Sequence, residues 1–171
     1  MEFRSLKIVS GGQTGVDRGA LDAALEAGIP CGGWCPKGRL AEDGPIDERY
    51  PLIEMDSARY IDRTRQNVID SDGTLIIHFG PLEGGSARTR DYCKQHDKPC
   101  LVLDAKSKGQ TDMVNAIVDF IEQHDIETLN VAGPRASKEP TARSVTESLL
   151  FDAIRQLGSE ADDDASIEGC R

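Results

Sequence analysis

The sequence contains no run of about 18 apolar residues, so it predicts no membrane span. It also lacks the basic start and long apolar core of a secretory signal, and the chain is expected in the cytoplasm. Positive charge is scarce: 20 Lys and Arg face 30 Asp and Glu, for a formal net charge of −10. Part of that excess lies in residues 159–171, which carry five acids and one Arg. A negative body argues against DNA or RNA as a partner. It leaves room for a small anionic ligand, because a few local donors outweigh a distant field. The five cysteines, Cys31, Cys35, Cys93, Cys100 and Cys170, form an odd set. In the expected compartment they read as reduced thiols. Cys31 and Cys35 have no Cys or His partners at zinc-site spacing, so no metal site is expected. The three histidines, His78, His96 and His124, are spread out, and no Ser-His-Asp or Cys-His arrangement follows from spacing.

What is present is an alternation. A chain of 171 residues fits one domain and is long enough to build a proper core. Short Ile-, Leu- and Val-rich runs recur at Leu6–Ser10, Ile29–Gly33, Pro51–Glu54, Thr74–Phe79, Cys100–Leu103 and Thr128–Ala132. Such runs suit a sheet buried on both faces. Helical patterns lie between them at Asp17–Ala27, Ser57–Ile69, Ser86–His96, Asp112–His124 and Thr141–Leu157. Gly28 follows the first as a C-terminal cap. Alternating strands and helices imply right-handed crossovers and a mostly parallel sheet. The expected fold is therefore α/β, a Rossmann-like three-layer sandwich with about six central strands. It occupies residues 1–157 and is followed by an acidic, disordered tail at 158–171. Residues 32–50, rich in Gly, Pro and mixed charge, read as one long loop.

In such sheets ligands bind beyond the carboxyl ends of the strands. The first loop there reads Gly11-Gly12-Gln13-Thr14-Gly15, followed by Asp17 and Arg18 at the opening of a helix. Glycines admit close approach to the backbone, and a helix start offers free N–H groups and a positive dipole end. The loop is neither a Walker A motif nor a G-x-G-x-x-G fingerprint. A second donor-rich turn, Gly84-Gly85-Ser86 with Thr89, opens another helix. A third, Gly133-Pro134-Arg135 with Ser137, supplies a guanidinium suited to phosphate oxygens. Three such loops on one sheet edge predict a composite phosphate-binding site.

The long loop adds Trp34, Lys37, Gly38 and Arg39, an aromatic face and two cations that could close over an anion. On the helix after it, Thr64 and Asn67 share a side at i and i+3, and could read a heterocycle.

Taken together, these motifs resemble the molybdenum cofactor carrier family over about residues 5–155. They are Gly11-Gly12-Gln13-Thr14-Gly15-Val16-Asp17-Arg18-Gly19-Ala20, Gly33-Trp34-Cys35-Pro36-Lys37-Gly38-Arg39, Tyr50-Pro51-Leu52 and Arg63-Thr64-x-x-Asn67-Val68. Asp70-Ser71-Asp72-Gly73-Thr74, Gly84-Gly85-Ser86 and Asn130-Val131-Ala132-Gly133-Pro134-Arg135 belong to the same picture. The resemblance implies a homo-oligomer, a dimer or tetramer, that carries the molybdenum cofactor (molybdopterin) or another phosphate-bearing, nucleotide-like ligand. That family is similar to the Lonely Guy phosphoribohydrolases, so an enzyme cleaving nucleoside monophosphates is the alternative. A nucleotide-sensing regulator is a third. The Lonely Guy pattern Pro-Gly-Gly-x-Gly-Thr-x-x-Glu places its glutamate where Tyr92 stands here, with Asp91 one position off. On a helix one position turns a side chain by about 100°. Hydrolysis is therefore disfavoured and no catalytic residue is assigned, though another acid, such as Asp17, could serve.

Overall fold

The computed structural model describes residues 6–168, with side chains as far as Ser159. Its elements in chain order are β1 (Lys7–Val9), α1 (Val16–Ala27), β2 (Cys31–Gly32), β3 (Trp34–Cys35), β4 (Leu40–Ala41), β5 (Gly44–Pro45) and β6 (Ile53–Glu54). There follow α2 (Tyr60–Ile69), β7 (Gly73–His78), α3 (Gly84–Gln95), β8 (Cys100–Asp104), α4 (Gln110–Gln123), β9 (Thr128–Ala132) and α5 (Ala142–Glu168).

Five strands form the central sheet in the order β2-β1-β9-β7-β8, every pair parallel. β9, the last strand in sequence, is inserted between β1 and β7. The loops after β1, β7 and β9 therefore emerge side by side at one edge. Successive side chains on β7 point to opposite faces. Leu75 and Ile77 join the main core with Ala20, Ile117 and Leu149 from α1, α4 and α5. Thr74, on the other face, accepts a hydrogen bond from Asn130 Nδ2 at 3.2 Å and meets Cys93 of α3. The three layers are α1, α4 and α5, then the sheet, then α2 and α3. Small residues set how closely α1 and α5 pack: a Cβ on Gly19 would lie 2.4 Å from the Arg143 carbonyl oxygen.

Three expectations change. The run at Pro51–Glu54 is a strand, but β6 pairs with β3 in a separate two-stranded sheet, so the central sheet has five strands rather than about six. The long loop is not irregular either. It holds β3, β4 and β5, and its Cys35, Ala41, Ile46 and Tyr50 form a small second core with Leu21 of α1 and Leu52. Its apolar residues are too scattered to show periodicity, yet they converge once the chain doubles back. α5 runs on to Glu168 instead of ending at Leu157, with no proline beyond it to break the ladder. Of the expected tail, residues 169–171 lie outside the described residues.

Candidate functional site

A cleft of about 270 Å³ opens at the carboxyl edge of the sheet. All three predicted loops reach it, through Gln13 and Asp17, through Gly85, Ser86 and Thr89, and through Gly133, Pro134 and Arg135. α2 closes one side with Tyr60, Arg63 and Thr64. Four cations (Arg63, Arg88, Arg135 and Lys138) and three acids (Asp17, Glu83 and Glu139) line it. The cleft is thus locally positive in a chain that is negative as a whole. Arg88, Arg135 and Lys138 form no ion pair with cleft acids among the described residues, beyond the charge attraction of Arg135 for nearby Glu42. The Arg63 and Arg135 guanidiniums lie 6.0 and 5.8 Å from the centre of the Tyr60 ring.

The three glycine turns do different work. The first is packed against protein. A Cβ on Gly11 would meet the Arg63 guanidinium at 2.3 Å, and one on Gly12 would meet Leu52 and Ile46 at 2.5 and 2.9 Å. Gly15 has φ +81°, and its Cβ would lie 2.3 Å from the Pro134 carbonyl oxygen. Only Gln13 and Asp17 of this segment line the cleft. Gly133 likewise fits between Ile77 and Val16. The turn at α3 is open: a Cβ on Gly85 would have nothing within 4 Å. α3 begins at Gly84, two residues before the predicted start, so Gly85 and Ser86 are in its first turn, where N–H groups are free. No side chain caps this end and no acid lies in its first turn. Ser86 is buried and lines the cleft, and the Lys138 Nζ is 3.6 Å from the Cβ position of Gly84.

The remaining predicted residues do not line the cleft; they hold its frame. Thr14 donates to Glu42 Oε1 and accepts from the Ala136 N–H at 3.1 Å. Glu42 also accepts from Ser137, hydroxyl at 2.6 Å and N–H at 3.1 Å. Burial pushes the Glu42 carboxyl up, but the Ser137 and Thr14 hydroxyls outweigh it and hold it below the ordinary carboxylate range. Arg18 forks onto Asp43 at 2.5 and 2.8 Å and also donates to the Gly12 carbonyl at 3.2 Å. Trp34 does not offer a stacking face to the cleft; its Nε1 donates to Asp70 at 2.8 Å. Asn67 clamps the Trp34 backbone, accepting its N–H at 2.8 Å and donating to its carbonyl at 3.0 Å. Arg39 donates to the carbonyls of Ile46, Leu52, Asp47 and Tyr50 at 2.8–3.3 Å, tying the insertion into a ring. The Gly38 N–H donates to Glu54 at 2.6 Å, and Lys37 is exposed.

Asp17 is the buried acid of the cleft. Burial raises its carboxyl above the ordinary value, against the pull of Arg63, whose Nη2 is 3.6 Å from Oδ2. Tyr92 and Asp91 are not among the lining residues, and Asp91 pairs with Arg90 at 3.5 Å on the surface. Sequence reasoning missed Tyr60, Arg88, Lys138 and Glu42. Their signal lies in contacts between distant segments, which residue spacing does not carry.

Residues 8–154 match the circularly permutated YpsA SLOG family. A crystal structure described as "Putative molybdenum carrier protein from Syntrophus aciditrophicus SB" is 49% identical in sequence, with a TM-score of 0.85, over 87% of this chain and 95% of that one. Among curated proteins, none matches the chain. No helix among the described residues is long and apolar enough to cross a membrane.

Proposed function

The chain belongs to the circularly permutated YpsA SLOG family, and from that premise we propose that it binds and carries a phosphate-bearing, nucleotide-like ligand without turning it over. The molybdenum cofactor is the leading candidate, the 49% identical protein being described as a putative molybdenum carrier. The observation that supports the reading best is the α3 N-terminus. It combines an open glycine, a buried Ser86 hydroxyl, an uncapped helix end and the nearby Lys138 ammonium. Free N–H groups and a positive dipole end favour a phosphate there. Of the three loops of the composite site, the second is the one proposed to hold the phosphate. Arg135 and Tyr60 would lie along the rest of the ligand, where a guanidinium and an aromatic ring suit a flat heterocycle. The volume lies just below the usual range of about 300–1,000 Å³ for small-molecule sites.

A carrier needs donors that hold and no acid placed to cleave. Among the described residues the one buried acid, Asp17, is engaged by Arg63 and by the backbone of Gln13 and Gly11. A homo-oligomer working in the cytoplasm completes the proposal.

Native mass spectrometry of the protein isolated from its own cells is expected to show a phosphorylated small molecule retained at one per chain. Arg135→Ala should lose it. Release of free base from a panel of nucleoside monophosphates at high protein concentration would replace the carrier reading with the hydrolase one.

A further inference from the structure

Gln13, Asp17 and Arg63 bring buried polar atoms to the cleft that a phosphate at α3 does not use. The Gln13 carboxamide has only one sensible orientation. Its Oε1 accepts from the N–H groups of Thr14 at 3.0 Å and Glu42 at 2.9 Å. Its Nε2 therefore points away from both, and it finds no partner although the residue is only 6% exposed. Arg63 Nε is equally unpartnered. Buried donors of this kind are rare in folded proteins, and each calls for an acceptor. Arg63 Nε lies over Gly11, 2.4 Å from where a Cβ would stand, which leaves the Gln13 donor, on a residue that lines the cleft, as the one a ligand acceptor would satisfy.

The acceptor is not a second phosphate. The Asp17 carboxylate is 3% exposed and adjoins Gln13, whose N–H it accepts at 3.2 Å. A buried carboxylate repels a phosphate dianion but takes an N–H. Gln13 and Asp17 both line the cleft, so its wall carries an unpartnered donor and a carboxylate acceptor on residues joined by a hydrogen bond. Their complement is a carbonyl beside an N–H on one edge of a ring.

We propose that Gln13 and Asp17 read the lactam edge of a heterocyclic monophosphate, Gln13 Nε2 donating to the carbonyl oxygen and Asp17 accepting from the adjacent ring N–H. This rests on the binding role proposed above, and it names the class of ring the cleft selects. Calorimetric titration separates the two. The probes are inosine 5′-monophosphate, purine riboside 5′-monophosphate (the same ring without the lactam), adenosine 5′-monophosphate and ribose 5-phosphate. The inosine form is expected to bind about tenfold more tightly than the purine riboside and adenosine forms. Gln13→Met should erase that gap. If that variant does not fold, Gln13→Glu keeps the oxygen contacts to Thr14 and Glu42, replaces the donor by an acceptor, and is expected to erase the gap as well. Equal affinity for the three nucleotides, or a gap that survives at position 13, overturns the lactam assignment while leaving the binding role intact. No binding by any of the four overturns both.

Discussion

Two glycine turns of this protein look alike on paper and differ in space. Gly11-Gly12-Gln13-Thr14-Gly15 follows β1, and Gly84-Gly85-Ser86 opens α3; each leads into a helix at the same sheet edge. At the first, an added Cβ would strike Arg63, Leu52 or the Pro134 carbonyl within 2.5 Å. At Gly85 it would strike nothing within 4 Å. Glycine in the first turn lets other parts of the chain approach. Glycine in the second leaves room that the protein does not fill. The first turn is therefore the hinge of the frame, and the second is where a ligand can come closest to the backbone.

The strongest way to break this contrast is Gly15→Val. A β-branched side chain at φ +81° against a backbone oxygen should cost about 3 kcal/mol or more, read as a lower midpoint in denaturant. Stability unchanged within 0.5 kcal/mol would mean that the first turn is as free as the second. Gly85→Ala should behave in the opposite way. It replaces an open glycine in the first turn of a helix by the best helix former, so stability should rise by up to about 1 kcal/mol. Phosphate affinity should fall about tenfold as the methyl group fills the approach to the N–H groups. A variant that is both more stable and binds phosphate as before would remove the second turn from the site.

The smallest effect concerns Glu42, which ties the first turn to the loop after β9 through Thr14 and Ser137. Its carboxyl is held below the ordinary value of 4.5, so the folded state releases that proton more readily than the unfolded chain does. The stabilisation it supplies is complete above the unfolded value and is lost as pH falls through the folded one. Glu42→Gln should lower stability slightly at neutral pH and flatten this acid limb of the stability curve. An acid limb as steep as that of the parent protein would show that Glu42 does not hold the frame.

Much of the architecture was legible beforehand. Among the described residues, the five central strands and the five helices begin within about three residues of where apolar periodicity predicts them, because each has a pattern of its own that carries the signal, although α5 runs on past its predicted end. The three loops of the cleft followed from the rule that ligands bind at the strand ends, and all three reach it. The roles of Trp34, Arg39 and Asn67 were not legible. Their hydrogen bonds go to backbone or carboxylate groups up to 36 residues away, so residue type alone suggested ligand chemistry where the structure has internal ties. Tyr60 and Lys138 were passed over for the converse reason. Each is an ordinary surface-type residue until α2 and the loop after β9 are brought together.

By itself, the amino-acid order determined the fold class, the sheet edge that carries the loops and the negative body with its few local cations. Those depend on periodicity, composition and the handedness of βαβ crossovers, all of which are local or general. Only the tertiary structure decided which glycine turn is filled by protein and which stays open. The space at a missing Cβ is set by whatever distant segment packs against it, here Arg63 and Leu52 in one case and nothing in the other.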